Sequence, residues 1–191
     1  MRAFIGIALP DPVRDSLQQL QRALALSHAD LKWVEPTNLH VTLKFLDEIT
    51  DGQRVAVEAM LRDMASRSTP FTLSLEQLGA FPSVAAPRVL WVGLGEGTER
   101  VRVLVQEIEV LSIALSLRKK EERPFAAHLT LGRVRSPQHR EALTRQMRAI
   151  QWQAPLPWPV DAITLYQSVL GAGGPRYAVL ADIPLGSARE A

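Results

Sequence analysis

The chain has no cysteine, which excludes disulfides, zinc–thiolate sites and thiol nucleophiles. It has almost no charge excess: 22 Lys plus Arg face 20 Asp plus Glu, for a formal net charge of +2. That balance does not mark a nucleic-acid binder, whose basic footprint must be clustered. Small clusters do occur at Arg118-Lys119-Lys120 and from Arg133 to Arg135, with His139-Arg140 beyond. Surface solvation is the commoner reason for such runs. No apolar run approaches the ~20 residues needed to cross a bilayer. The apolar start from Met1 to Leu9 stops at Pro10, too short for a signal peptide's hydrophobic region plus cleavage site. The expectation is a cytoplasmic protein without membrane association. Histidine is scarce too, with four in the chain, so the placing of those four carries weight.

What is present is ordinary globular composition over 191 residues, 47% hydrophobic and 22% charged, enough to bury a good core. Within it one short pattern occurs twice. His40-Val41-Thr42-Leu43 and His128-Leu129-Thr130-Leu131 stand 88 positions apart, at 40 and 128. Pro36 and Pro124 each precede the histidine by four residues. The other two histidines, His28 and His139, sit near helix ends and read as solvated.

Hydrophobic periodicity predicts a strand over Ala3–Leu9, then a helix opened by Asp11-Pro12 with Val13, Leu17, Leu20 and Leu24 on one face. Strands follow at Leu31–Val34 and Leu39–Leu46, and a helix at Val55–Met64. Phe71–Leu78 alternates as a strand, and Gly79-Ala80-Phe81-Pro82 reads as a turn. A strand at Arg88–Gly93 leads to a helix at Thr98–Leu117. The second motif lies on a strand at Ala127–Val134. A helix at His139–Ile150, a proline-rich connector around Pro155, Pro157 and Pro159, and a hairpin of Asp161–Val169 with Arg176–Ile183 complete the pattern. Helices on antiparallel sheet, in an order used twice, predict an α+β fold of two pseudo-symmetric lobes facing across a cleft. The expected organisation is one bilobal domain over residues 1–185 with a flexible tail at 186–191, and a monomer.

Alternation along a strand puts His40 and Thr42 on one face and Val41, Leu43 and Phe45 on the other; the second copy repeats this. Each strand therefore offers an imidazole beside a hydroxyl. Two imidazoles titrating near pH ~6.5 supply one acid and one base at once. Threonine hydroxyls donate to non-bridging phosphate oxygens and fix a substrate for attack. A single His-x-Thr is most often surface or satisfied core; two in matching frames point to phosphodiester chemistry. Two histidines also suit Zn²⁺, but catalytic zinc usually takes three protein ligands. Glu35 and Asp47 flank the first motif without joining it, so no metal or other cofactor is expected.

Beyond the motifs, several segments resemble one known family. They are Arg2-Ala3-Phe4-Ile5-Gly6-Ile7, Trp33 to Leu46 around the first motif, Gly79-Ala80-Phe81-Pro82, Pro87 to Gly93, Phe125 to Arg133 around the second, and Leu165-Tyr166-Gln167-Ser168. Together they resemble the two-histidine phosphoesterase superfamily, and within it the RNA 2',3'-cyclic phosphodiesterases, also called 2'-5' RNA ligases. Ala127 stands where many members have Pro, and Asp47 where the family usually has Gly. The resemblance implies hydrolysis of RNA 2',3'-cyclic phosphate ends to 2'-phosphomonoesters, with the reverse 2'-5' ligation open. It gives His40 the role of proton donor and His128 that of proton acceptor, with Thr42 and Thr130 gripping phosphate. It also suggests that Arg133 contacts phosphate, although strict alternation places Arg133 opposite His128 unless the strand ends or bulges first. Phe4, Phe125 and Tyr166 are candidates for base stacking, and Ser168 for substrate contact. Lys44 and Arg118 to Lys120 are candidates for attracting the RNA backbone. Partners would be RNA with cyclic phosphate ends or small cyclic nucleotides. A 2'-5' oligonucleotide or nucleotide cyclic phosphodiesterase uses the same four residues in a different groove. A catalytically silent RNA- or nucleotide-binding module is the non-enzyme alternative.

Overall fold

The computed structural model describes residues 1–115, 117, 125–171 and 174–186. The basic run 118–120, Pro124 and the tail from 187 onward lie outside the described residues. No helix among those described is long and apolar enough to cross a membrane.

Two four-stranded antiparallel sheets form the two lobes. The first takes β1 (Arg2–Ala8), β3 (His40–Glu48), β9 (Ala162–Gly171) and β10 (Gly174–Pro184) in the order β10-β9-β1-β3. The second takes β2 (Leu31–Trp33), β5 (Leu75–Ser83), β6 (Ala86–Leu94) and β7 (His128–Val134) in the order β2-β7-β6-β5. A small ladder joins β4 (Phe71–Leu73) to β8 (Trp158–Val160). The two large sheets approach each other along β3 and β7, the two motif strands.

Two helices back each sheet. Helices α2 (Asp51–Ser66) and α3 (Thr98–Ala114) pack behind the first; α1 (Asp11–Ala25) and α4 (Arg140–Ala149) pack behind the second. The chain thus crosses between lobes: α1 leaves β1 to back the second sheet, and α3 leaves β6 to back the first. Val13, Leu17, Leu20 and Leu24, the predicted face of α1, are all buried. Helix α2 opens on a capping box, in which Thr50 Oγ1 accepts from Gln53 N and the Gln53 side chain accepts from Thr50 N. Asp11 is not the cap of α1; it lies inside the first turn and pairs with Arg14.

Both motif strands carry the same irregularity at the same place. In the β1–β3 ladder Gly6 faces Thr42 while Ile5 faces Lys44, so Leu43 is the extra residue. In the β6–β7 ladder Trp91 faces Thr130 while Leu90 faces Gly132, so Leu131 is the extra residue. These β-bulges reverse the parity of the residues that come next. Leu43 and Lys44 are both buried, as are Leu131 and Gly132, and the next residues, Phe45 and Arg133, emerge on the histidine face. The expectation that Phe45 faces the core is therefore wrong, because it assumed unbroken alternation. The condition set for Arg133, a bulge just before it, is met.

Three other expectations change. Gly79-Ala80-Phe81-Pro82 is strand, not turn, and pairs with β6. A Cβ at Gly79 would lie 2.3 Å from the Trp91 ring, so glycine serves close packing there rather than a bend. The proline-rich connector contains β8, whose Pro159 opposes Thr72 in the small ladder. Lys44 is unavailable to RNA: it is 7% exposed and its ammonium pairs with Glu109 on α3. At the C-terminal end, Gly186 N donates to Ala65 O at 2.8 Å.

Candidate active site between the two lobes

The two motif histidines are held in the same way. His40 Nδ1 lies 2.7 Å from the carbonyl oxygen of Asn38, and His128 Nδ1 lies 2.6 Å from that of Ala126, each two residues upstream. A carbonyl oxygen only accepts, so Nδ1 carries the hydrogen in both rings and Nε2 is left as the exchangeable nitrogen. Thr42 Oγ1 sits 2.8 Å from His40 Nε2. Thr42 and Thr130 are half-buried on the same faces as their histidines.

Aromatic rings wall each imidazole. Phe4 lies under His40 at a centroid distance of 4.6 Å, Tyr177 meets it edge-on at 5.3 Å, and Tyr166 stacks on Phe4 at 4.9 Å. A Cβ at Gly6 would lie 3.2 Å from His40 Cδ2 and 2.9 Å from Val41 O, so a glycine lets the imidazole settle against β1. In the other lobe Phe81 meets His128 edge-on at 5.1 Å, and Trp91 lies 6.3 Å away. Burial lowers the pKa of both histidines; the carbonyl contacts at Asn38 and Ala126 raise them but do not offset it. The Arg133 charge lowers that of His128 further. Arg133 also acts on Tyr177, which belongs to the other lobe, so its guanidinium lies within electrostatic range of both. Burial pushes the Tyr166 and Tyr177 phenols up.

The remaining sequence candidates separate. Phe4 is 2% exposed and forms the floor of the site, leaving little ring for a base to stack on. Tyr166 is half-buried beside it. Phe125 lies just before β7, partly buried against the core. Ser168 lines a small cavity with Phe4 and Tyr177. Among the described residues no group of three or more His, Asp or Glu side chains gathers as a metal site. His28 and His139 take no part in the motif strands and line a larger hollow of about 690 Å³ between α1 and α4. Both take left-handed backbone at helix ends, with φ of 55° and 52°. Sequence reasoning missed Phe45, Tyr177 and Phe81. Phe81 lies between a glycine and a proline that together resemble a turn; Tyr177 carries no local signal beyond strand alternation.

A bilobal α+β fold with one His-x-Thr strand per lobe is the architecture of a two-histidine phosphoesterase. The family model described as LigT like Phosphoesterase matches the chain twice in succession, over residues 7–91 and 92–177, once per half. The chain belongs to this family. It is 31% identical to an RNA 2',3'-cyclic phosphodiesterase of Aquifex aeolicus, over 97% of this chain and 98% of the relative. It is 32% identical to one from Methanothermobacter thermautotrophicus, over 93% and 95%. Among solved structures it is similar to E. coli LigT complexed with 3'-AMP, with a TM-score of 0.77 and 26% identity over 96% and 97% of the two chains. A solved protein of Thermus thermophilus gives a TM-score of 0.79 with 28% identity, over 98% and 99%.

Proposed function

We propose that the protein hydrolyses RNA 2',3'-cyclic phosphate ends to 2'-phosphomonoesters, through the paired histidines. The observation that carries this is the matched fixing of both imidazoles: each Nδ1–H is tied to a backbone carbonyl, so each Nε2 is left to exchange a proton. Membership of the family and relatives named as RNA 2',3'-cyclic phosphodiesterases support the substrate class.

His128 Nε2 takes a proton from the attacking water as its oxygen bonds to phosphorus. His40 Nε2, protonated, gives its proton to the 3' oxygen as the phosphorus–O3' bond breaks. The product keeps its phosphate on O2' and gains a 3'-hydroxyl. Such general acid–base help contributes about 10²–10⁴-fold in rate. In-line attack needs base and acid on opposite sides of phosphorus, and residence on two facing lobes supplies that. Thr42 and Thr130 donate to the non-bridging oxygens, and Arg133 offsets their charge. Run in reverse with an RNA 5'-hydroxyl in place of water, the same groups form a 2'-5' linkage. The protein acts as one bilobal unit over residues 1–185, as a monomer in the cytoplasm.

The test is product analysis on a short RNA ending in a 2',3'-cyclic phosphate, in EDTA. Phosphorus NMR will show the 2'-phosphomonoester; a 3'-phosphomonoester, or no turnover by folded protein, would refute the reading.

A further inference from the structure

The carbonyl oxygen that fixes His40 lies outside the sheet. Strand β3 begins at His40, where its ladder with β1 ends on Ala8. Asn38 closes a single 3₁₀ turn, Pro36–Asn38, which carries the chain from β2 of the second sheet to β3 of the first. Its backbone N–H donates to Glu35 O at 2.8 Å, and its carbonyl oxygen accepts from His40 Nδ1 at 2.7 Å.

The Asn38 side chain makes a third bond. The residue is 7% exposed, and its Nδ2 donates to Pro175 O at 2.7 Å, 137 positions along the chain. A carbonyl only accepts, so the amide nitrogen is the atom that must face it. Pro175 lies on β10, at the opposite edge of the sheet from β3. Two residues further on stands Tyr177, the ring edge-on against His40. One side chain therefore joins the carbonyl behind the imidazole to the strand that walls its face. The second lobe is built differently. Ala126, which holds His128, has no polar side chain; there a backbone bond from Leu94 N to Ala127 O at 3.2 Å prolongs the β6–β7 pairing past His128. The two histidines are held alike but supported unlike.

The support matters because His40 exchanges a proton at Nε2 only while Nδ1 keeps its own hydrogen. Burial lowers the His40 pKa, and the contact with the Asn38 carbonyl raises it part of the way back. Resting on the reading of His40 as proton donor in the phosphodiesterase reaction, we propose that Asn38 is a positioning residue for that acid. Its side-chain amide, anchored on Pro175, holds its own carbonyl against His40 Nδ1 and so keeps Nε2 as the nitrogen that delivers the proton.

The experiment is ¹⁵N NMR of the histidine side chains, with steady-state rates, for wild type and Asn38→Leu, which is close in shape to asparagine but has no donor. Above pH ~7.5, where both rings are neutral, wild type will show His40 and His128 as Nδ1–H tautomers. In Asn38→Leu, His40 will become a mixture of Nδ1–H and Nε2–H, and its pKa will fall further. The His128 signals will stay, which also shows that the variant folds. The titratable groups facing His40 from β9 and β10 are the Tyr166 and Tyr177 phenols, which burial keeps neutral over this range. On an RNA 2',3'-cyclic phosphate end kcat will drop, by up to about 10²-fold, with KM little changed. Asn38→Ser, which keeps a shorter donor, will show the same changes in smaller measure and serves should the leucine variant not fold. An unchanged His40 tautomer and pKa, equal changes at His128, or a loss confined to KM would overturn the assignment. No turnover by folded wild type would instead strike the phosphodiesterase reading, and the NMR comparison would still judge the tie from Asn38 to His40.

Discussion

The side-chain amide of Gln21 donates to the carbonyl oxygen of Leu131 at 3.0 Å, reaching from α1 through to the bulge of β7. The same amide donates to Val34 O at 2.9 Å, and Leu131 O also accepts from Val34 N at 2.8 Å. Gln21 is 6% exposed, so its polar group is there for these bonds. The bulge is what turns Arg133 toward His128, which makes Gln21 a positioning residue for an arginine it does not touch.

Gln21→Met keeps the volume and removes the donor. Leaving Val34 O without its side-chain partner will cost about 1–3 kcal/mol in denaturant unfolding. The variant will also raise KM for cyclic phosphate ends. In an Arg133→Ala background the same change will leave KM unaltered, because the effect acts through Arg133. Additive effects would show that Gln21 acts on stability alone.

The pH profile follows from the histidine environments. Burial lowers both imidazole pKa values from the ordinary ~6.5, so each ring in the free protein gains its proton only at lower pH. The kcat/KM bell, which reports free-enzyme groups, will be centred below pH ~6.5. Arg133→Met removes a charge that opposes protonation of His128 and will move one limb upward. The profile of kcat will lie higher than that of kcat/KM, since bound phosphate favours imidazolium. A kcat/KM bell centred above pH ~7 would contradict the burial argument.

Lys44 is structural. Replacing it with Met removes the ammonium that pairs with Glu109 on α3 and will cost about 1–3 kcal/mol of stability. The salt dependence of RNA binding will be unchanged, because a buried ammonium releases no counterion. A shallower salt slope in Lys44→Met would return this lysine to the RNA-binding surface.

Gly79→Ala places a methyl 2.3 Å from Trp91, the ring beside His128. Overpacking of this kind costs about 1–3 kcal/mol and forces the indole to move. Reduced kcat together with altered tryptophan fluorescence is the expected pair of readouts. A wild-type rate would mean that the Trp91 wall does not position His128.

How far the sequence could be read is clearest on β3 and β7. Alternation placed His40, Thr42, His128 and Thr130 on shared faces, and it holds up to Leu43 and Leu131. It fails one residue later, because a bulge is a property of two paired strands and leaves only a faint trace in one. Gly132 hints at it in the second copy; Lys44, at the same place in the first, hides it. The loss of Phe45 from the site residues and the open status of Arg133 both stem from that single residue. Gly79 and Phe81 were misread for a related reason. A glycine that makes room for an indole across the ladder looks, in one dimension, like a glycine that turns the chain. Asp47, noted as standing where relatives usually have Gly, takes left-handed backbone with φ of 57°, which accounts for the glycine.

The division of labour between the histidines is tested most directly by changing the leaving atom. Wild type, His40→Ala and His128→Ala would each be assayed on an RNA 2',3'-cyclic phosphate and on its analogue with sulfur in place of the 3' oxygen. A thiolate departs without a proton far more readily than an alkoxide, since thiols have pKa values of about 8–9. Both variants should lose about 10²-fold or more on the oxygen substrate. On the sulfur substrate His40→Ala should recover most of its activity, and His128→Ala should not. Rescue of His128→Ala instead would reverse the two roles, and full activity of either variant on the oxygen substrate would contradict the two-histidine mechanism itself.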